Sequence, residues 1–269
     1  MSVADDGAAA GASILVNGSK LELIDRGRGR PILFLHPHIG LEPSAPVFDR
    51  LASGGRLIAP SHPGFGRSEL PATITTVDDL AYFYLDAMDE LDLEQTLVIG
   101  VSLGAWIAAA IAIKSTARMS RLVLANPVGI KVGDRETRDI LDVFAMLEDE
   151  FNEKAFADPA AARRDYRAMS EDELRIAARN RESAARFAWS PYMHDPKLRD
   201  RLHRIAIPTL VLWGASDRLI EESYGRAFCA AVPGAKFERI EGAGHFPHRE
   251  DPDQAAREIA GFFDRIGWR

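Results

Sequence analysis

The sequence has little of what builds disulfide-stapled, membrane-spanning or nucleic-acid-binding proteins. Its single cysteine, Cys229, rules out an internal disulfide framework and suits a reducing compartment. No apolar run approaches the roughly 20 residues that cross a bilayer. Positive charge is in deficit: 33 Lys and Arg against 40 Asp and Glu leave a net charge of −7, whereas polyanion binding depends on clustered positive charge. The opening MSVADDGAAAGA carries acids where a secretory leader carries bases, and no apolar segment follows. There is no H-E-x-x-H and no paired Cys/His spacing that would hold a metal, and nothing repeats at a 20–50 residue period. These absences predict a soluble, cytoplasmic protein with a disordered tail over residues 1–12. They also predict no metal, no cofactor, and a small-molecule substrate rather than nucleic acid or membrane as partner.

What is present is a regular succession of short strand signals. SILVNG (13–18) and KLELIDRG (20–27) alternate apolar and polar residues around Asn17-Gly18, which reads as a hairpin. PILFLH (31–36), RLIAP (56–60), TLVIG (96–100), RLVLA (121–125) and PTLVLWG (208–214) are apolar throughout, and AKFERIE (235–241) alternates again. Continuous apolar strands belong to a sheet covered on both faces, hence mostly parallel. Helical periodicity falls between them, over 76–92, 103–114, 221–231 and 252–266. The pattern predicts a three-layer α/β fold around an eight-stranded sheet. From 130 to 207 no strand appears; helical stretches are expected near 134–150 and 170–187, as an insertion.

The sharpest local signal is Gly100-Val101-Ser102-Leu103-Gly104, between an apolar strand and a helix. A serine on so sharp a strand-to-helix turn needs strained dihedrals and neighbours without side-chain bulk, which the two glycines supply. The helix N-terminus behind it favours negative charge forming on a substrate. Two further residues sit in matching contexts: Asp217 follows the strand PTLVLWG, and His245 follows the last strand in Gly-Ala-Gly-His. Taken singly, Asp217 reads as a turn residue and His245 as a loop histidine. Together with Ser102, at the C-terminal ends of parallel strands, they read as nucleophile, base and orienting acid.

With these motifs the chain resembles the α/β-hydrolase fold superfamily over nearly its whole length. The resemblance implies a three-layer core over 13–130 and 205–269, with a mostly parallel eight-stranded sheet and an inserted helical cap over 131–204. It implies the catalytic order Ser102, Asp217, His245. The oxyanion donors would be the backbone N–H groups of Leu103 and His38, the second in the loop His36-Pro37-His38-Ile39-Gly40, where Pro37 replaces the family's usual glycine. His36 is expected to brace that loop. Trp189, Phe246 and His248 are candidates for the pocket, and His62, His194 and His203 are expected at the surface or as caps. APSHPGFGRSE (59–69) reads as a structural turn.

A serine nucleophile implies cleavage of a carboxylic ester or related acyl bond through an acyl-enzyme. Hydrolysis of carbon–carbon bonds in ring-cleavage products uses the same three residues and a similar cap. The resembling carbon–carbon hydrolases commonly carry asparagine before the nucleophile and tryptophan after the histidine; here those places hold Val101 and Phe246, which offer no side-chain donor. A receptor that binds a small apolar molecule with little turnover is the reading from another class.

Overall fold

The computed structural model describes residues 12–134 and 136–264. The expected tail lies outside them except for Ala12, which opens the first strand. Eight strands form one sheet: β1 (Ala12–Val16), β2 (Ser19–Arg26), β3 (Pro31–Leu35), β4 (Arg56–Pro60), β5 (Thr96–Val101), β6 (Met119–Ala125), β7 (Thr209–Gly214) and β8 (Lys236–Ile240). Their spatial order is β1-β2-β4-β3-β5-β6-β7-β8. The β1–β2 and β2–β4 pairs are antiparallel and every other pair is parallel. Asn17 (φ 49°) and Gly18 (φ 79°) both take positive φ, the requirement of the tight hairpin turn that their sequence announced. The strands that are apolar throughout occupy the centre. β5 and β7 are buried at every residue, while β8, at the edge, is buried only at Ile240.

The strand order places a crossover at the centre of the sheet. From β3 the chain passes through α1 (Ala45–Gly54) to β4 on one side, then through α2 (Val77–Glu90) to β5 on the other. Right-handed connections put these helices on opposite faces. Accordingly α1 packs with the C-terminal helix Pro252–Asp264, and α2 packs with α3 (Leu103–Lys114). The C-terminal ends of β3 and β5 thus lie side by side, Leu35 paired with Gly100, at the position where doubly wound sheets open a crevice. α3 is buried on all sides, from Leu103 through Ile113, which explains why its sequence (LGAWIAAAIAIK) shows no polar face.

Two elements differ from expectation. α1 was not foreseen: it is short and starts at Ala45-Pro46, and only Val47, Phe48 and Leu51 face the core. The helix expected near 134–150 does not form there. The Asp139 carboxylate accepts hydrogen bonds from the Val132 and Gly133 amides, and Asp134 accepts from Glu136 and Thr137. Aspartates that capture nearby amides in this way compete with helix, and α4 begins only at Glu148, running to Ala155. After α5 (Pro159–Ala162), α6 (Glu171–Ala188) forms as expected, opened by a reciprocal capping box between Ser170 and Glu173. Its inner face lies on the 61–69 turn of the core: Ser183 Oγ donates to the Gly64 carbonyl (2.7 Å), Asn180 Oδ1 accepts from the Gly66 amide (2.9 Å), and Arg179 Nε donates to Gly64 (2.8 Å).

Candidate active site

Ser102 joins β5 to α3 with φ 52° and ψ −113°, a conformation that L-residues avoid and that only surrounding structure can hold. The flanking glycines are required by contact. A Cβ at Gly104 would collide with the carbonyl of Leu35, and one at Gly100 with the backbone of Gly104 and Ala105. The Ser102 amide is tied across the sheet to the Ala125 carbonyl (2.9 Å). The side chain, 1% exposed, is presented at the head of α3, where the first amides of a helix have no partner within it.

Ser102, Asp217 and His245 converge. His245 Nε2 lies 2.8 Å from Ser102 Oγ, and His245 Nδ1 lies 2.7 Å from Asp217 Oδ2. A carboxylate only accepts, so Nδ1 carries the proton and Nε2 is left to accept from the serine hydroxyl. Both side chains are shielded from solvent. Asp217 is itself held: Oδ1 accepts from the amides of Leu219 (2.9 Å) and Ile220 (3.2 Å), and Oδ2 accepts from Asn126 Nδ2 (2.8 Å). Asn126, fully buried just past β6, spends its carbonyl oxygen on the Gly214 amide (3.0 Å), fixing the end of β7. The His245 amide is anchored to the Ala155 carbonyl at the end of α4 (2.6 Å). Glu250 spans the same junction, accepting from Gly244 (2.8 Å) and from Ala157 (2.7 Å). Sequence reasoning missed Asn126 and Glu250; an asparagine directly after a buried strand was the one local signal for the former.

The loop after β3 rests on a closed set of hydrogen bonds. His36 Nε2 accepts from the His62 amide (3.0 Å), so its Nδ1 carries the proton toward the Pro37 carbonyl (2.7 Å). His62 Nε2 donates to the His36 carbonyl (2.9 Å), leaving Nδ1 to accept from the Tyr84 hydroxyl (2.5 Å). The two imidazoles stack with centroids 3.7 Å apart. Burial holds the His62 imidazole down at about 4 and His36 well below the usual value, so both stay neutral. His36 therefore braces the loop as expected. His62 does not sit at the surface: it is fully buried and completes the brace. His203 is exposed and His194 is half-buried. Above the brace, Pro37 to Gly40 closes a turn (3.1 Å) with Gly40 at φ 101°, and His38 lies within it.

His38 faces inward. It is 8% exposed, its Nδ1 has no hydrogen-bond partner among the described residues, and burial holds it down at about 3. Its ring meets Phe151 edge-on (5.8 Å) and lies 6.0 Å from Phe246, which in turn packs on His245 (4.9 Å). A cavity of about 320 Å³ ends on His38 and Ile39 and is roofed by Phe144, Phe151 and Phe156 from the helical insertion. Ser102 does not itself line it. Of the other residues expected at a pocket, Trp189 is 56% exposed and packs outward on Phe144. Phe246 is fully buried behind Phe151 and Phe156. His248 turns away from this cavity, bonding Ser44 Oγ (3.1 Å) within a small apolar void between the sheet and α1.

Comparison with known proteins agrees with this architecture. Residues 32–258 match the model of the Alpha/beta hydrolase family. The chain is 28% identical to a 2-hydroxymuconate semialdehyde hydrolase of Pseudomonas putida, over 94% of this chain and 93% of that one. Among solved structures, a meta-cleavage product hydrolase from Pseudomonas fluorescens superposes with a TM-score of 0.78 (21% identity, 96% of this chain and 98% of that one). An esterase from Thermogutta terrifontis superposes with a TM-score of 0.76 (22% identity, 96% and 99%). With the crossover at the sheet centre and the strained serine at its edge, this chain belongs to the α/β hydrolase family.

Proposed function

We propose that the chain is a serine hydrolase that cleaves a carboxylic ester or related acyl bond of a small molecule through an acyl-enzyme. The observation that carries this reading is the unbroken line from Ser102 Oγ through His245 to Asp217, at 2.8 and 2.7 Å, on a strained strand-to-helix turn. His245 Nε2 takes the hydroxyl proton as Oγ bonds to the substrate carbonyl carbon, and Asp217 stabilises the resulting imidazolium. The amides of Leu103 and His38 donate to the oxygen that becomes negative. Collapse expels the alkoxide, which leaves with the proton from Nε2. Water, deprotonated by the same nitrogen, then releases the acid and frees Ser102. The segment 131–204 serves as a cap that supplies the aromatic roof of the substrate cavity.

A second reading, hydrolysis of a carbon–carbon bond in a ring-cleavage product, has one observation in its favour: relatives of comparable length are named as hydrolases of 2-hydroxymuconate semialdehyde and 2-hydroxy-6-oxononadienedioate, and a structural neighbour as a meta-cleavage product hydrolase. Against it, Val101 and Phe246 are fully buried apolar side chains at the two places that flank the nucleophile and base. A charged dienolate would find no side-chain donor there, at about 1–3 kcal/mol for each unmet group.

The test is covalent labelling with an organophosphonate followed by peptide mapping, run beside turnover of 4-nitrophenyl esters and of ring-cleavage dienoates. The adduct is expected on Ser102, with Ser102→Ala losing both label and turnover by several orders of magnitude. An adduct on another serine, or dienoates turned over tenfold faster than esters, overturns the assignment or its order.

A further inference from the structure

The wall of the cavity carries a surplus of positive charge. Arg164, Arg181 and Arg249 all line it, in a chain whose net charge is −7. Arg164, half-buried, makes no hydrogen bond or ion pair within the described residues. Arg181 spends one nitrogen on the Phe144 carbonyl (3.1 Å), and Arg249 lies over the Phe156 ring, 5.0 Å from its centroid. The nearby carboxylates are fewer than the arginines, and their oxygens are already hydrogen-bonded. Glu148, the one acid on this wall among the described residues, is hydrogen-bonded to Tyr166, and Glu250 is held by the amides of Ala157 and Gly244. The Arg164 charge is felt at both His38 and Arg249, where it opposes protonation, so these groups converge on one region.

Two residues that line this cavity also carry a buried polar atom without a partner. Asn152 is 5% exposed and lines the cavity, and its Nδ2 makes no hydrogen bond among the described residues; nor does His38 Nδ1. Buried donors are normally satisfied, and an orphan on a cavity wall points to a group that arrives from outside. Three guanidinium groups on one wall, with an unmet amide N–H₂ in a lining residue, are the complement of an acceptor with negative charge. Convergent like charges repel one another unless a counter-charge lies between them.

We infer that this wall receives a carboxylate on the far end of the acyl substrate, so that the preferred substrate is a half-ester of a small dicarboxylic acid. The inference rests on the acyl-hydrolase reading of Ser102 and deepens it by naming the substrate class. The cavity volume, near the lower bound for small-molecule sites, fits a short chain. The carboxylate end is held by Arg164 and Arg249 while the ester carbonyl lies toward His38 and Ser102.

The test compares two 4-nitrophenyl esters with six-carbon acyl chains, the adipate half-ester and the hexanoate, which differ in one terminal carboxylate. The adipate half-ester is expected to have kcat/KM at least about tenfold higher, chiefly through KM, with an advantage that shrinks as salt is added. In Arg164→Gln the ratio of the two esters should fall about tenfold, with partial recovery in Arg164→Lys. A wild-type ratio at or below one overturns the inference, as does a ratio that Arg164→Gln leaves in place. Free adipate provides an independent arm, titrated calorimetrically against wild type and Arg164→Gln, with inorganic phosphate as competitor. If neither ester is hydrolysed, the acyl-hydrolase reading fails. The carboxylate site then stands if adipate binds and the variant weakens it about tenfold, and falls if wild type does not bind adipate. Phosphate binding more tightly than adipate overturns the choice of carboxylate.

Discussion

At the scale of single residues, the orienting of His245 depends on how Asp217 is itself held. Asp217 Oδ2 serves both the imidazole and Asn126, and Oδ1 serves two backbone amides. Those four donors fix the carboxylate in direction. Asp217→Asn replaces an acceptor with an amide that can present a donor to Nδ1, which favours the wrong tautomer. Ester turnover should fall by about 10³–10⁴-fold, with the fold retained. Asn126→Ala leaves the carboxylate in place but removes one donor to it and strands the Gly214 amide. The expected losses are smaller, about tenfold in kcat and about 1–3 kcal/mol in stability. Measuring both variants by steady-state kinetics and urea unfolding separates the roles. Equal losses of rate would mean that Asn126 does more than hold Asp217.

At the scale of elements, the loop after β3 and the helix α6 meet over the 61–69 turn. His36, His62 and Tyr84 come from three separate segments, and every ring nitrogen in the brace has a partner. Above them Asn180 of α6 touches Gly40, where a Cβ would collide with its amide group, and bonds Gly66. Backbone direction at His38 is thus set from below by the histidines and from above by α6. His62→Gln should disturb the first of these, shifting the His38 amide relative to Leu103. On the proposed role of the His38 amide as an oxyanion donor, which acts in the transition state, kcat should drop about tenfold or more with little change in KM. A rise in KM at constant kcat would assign the loop to substrate binding instead. The same scale explains why α4 starts late: carboxylates at 134 and 139 compete with the helix for the amides of Val132, Gly133, Glu136 and Thr137.

At the scale of the whole molecule, several buried neutral histidines tie stability to pH. Burial holds His62 at about 4 and His38 and His248 at about 3, against an unfolded value near 6.5. Below about pH 6.5 the unfolded chain binds protons that the folded chain refuses, so stability declines as pH falls and is retained above that value. At about pH 5 the loss is about 2 kcal/mol for each such histidine. Urea unfolding at pH 7 and pH 5 measures it, and His62→Gln should flatten the dependence by about one proton. Stability that is equal at the two pH values would contradict the neutral assignments.

Much of this was legible in the chain because it is decided over short distances in sequence. The hairpin at Asn17-Gly18, the doubly buried strands, the α3 helix and the glycines around Ser102 each follow from periodicity or from a backbone conformation that few residues tolerate. Ser102, Asp217 and His245 could be nominated because each follows a strand with recognisable edges. What the sequence determined by itself was therefore the strands, most of the core helices, the mostly parallel sheet and the place of the serine turn. Only the tertiary structure decided that Asn126 holds Asp217, that His62 is buried on His36 rather than solvated, and that Arg164, Arg181 and Arg249 line one cavity while Trp189 and His248 turn away from it. These outcomes depend on which segments, 17 to 204 positions apart, pack against one another. A polar side chain carries no local mark of whether its partner will be water, an amide or a distant carboxylate. Packing selects among those partners by desolvation, which no window of the sequence contains.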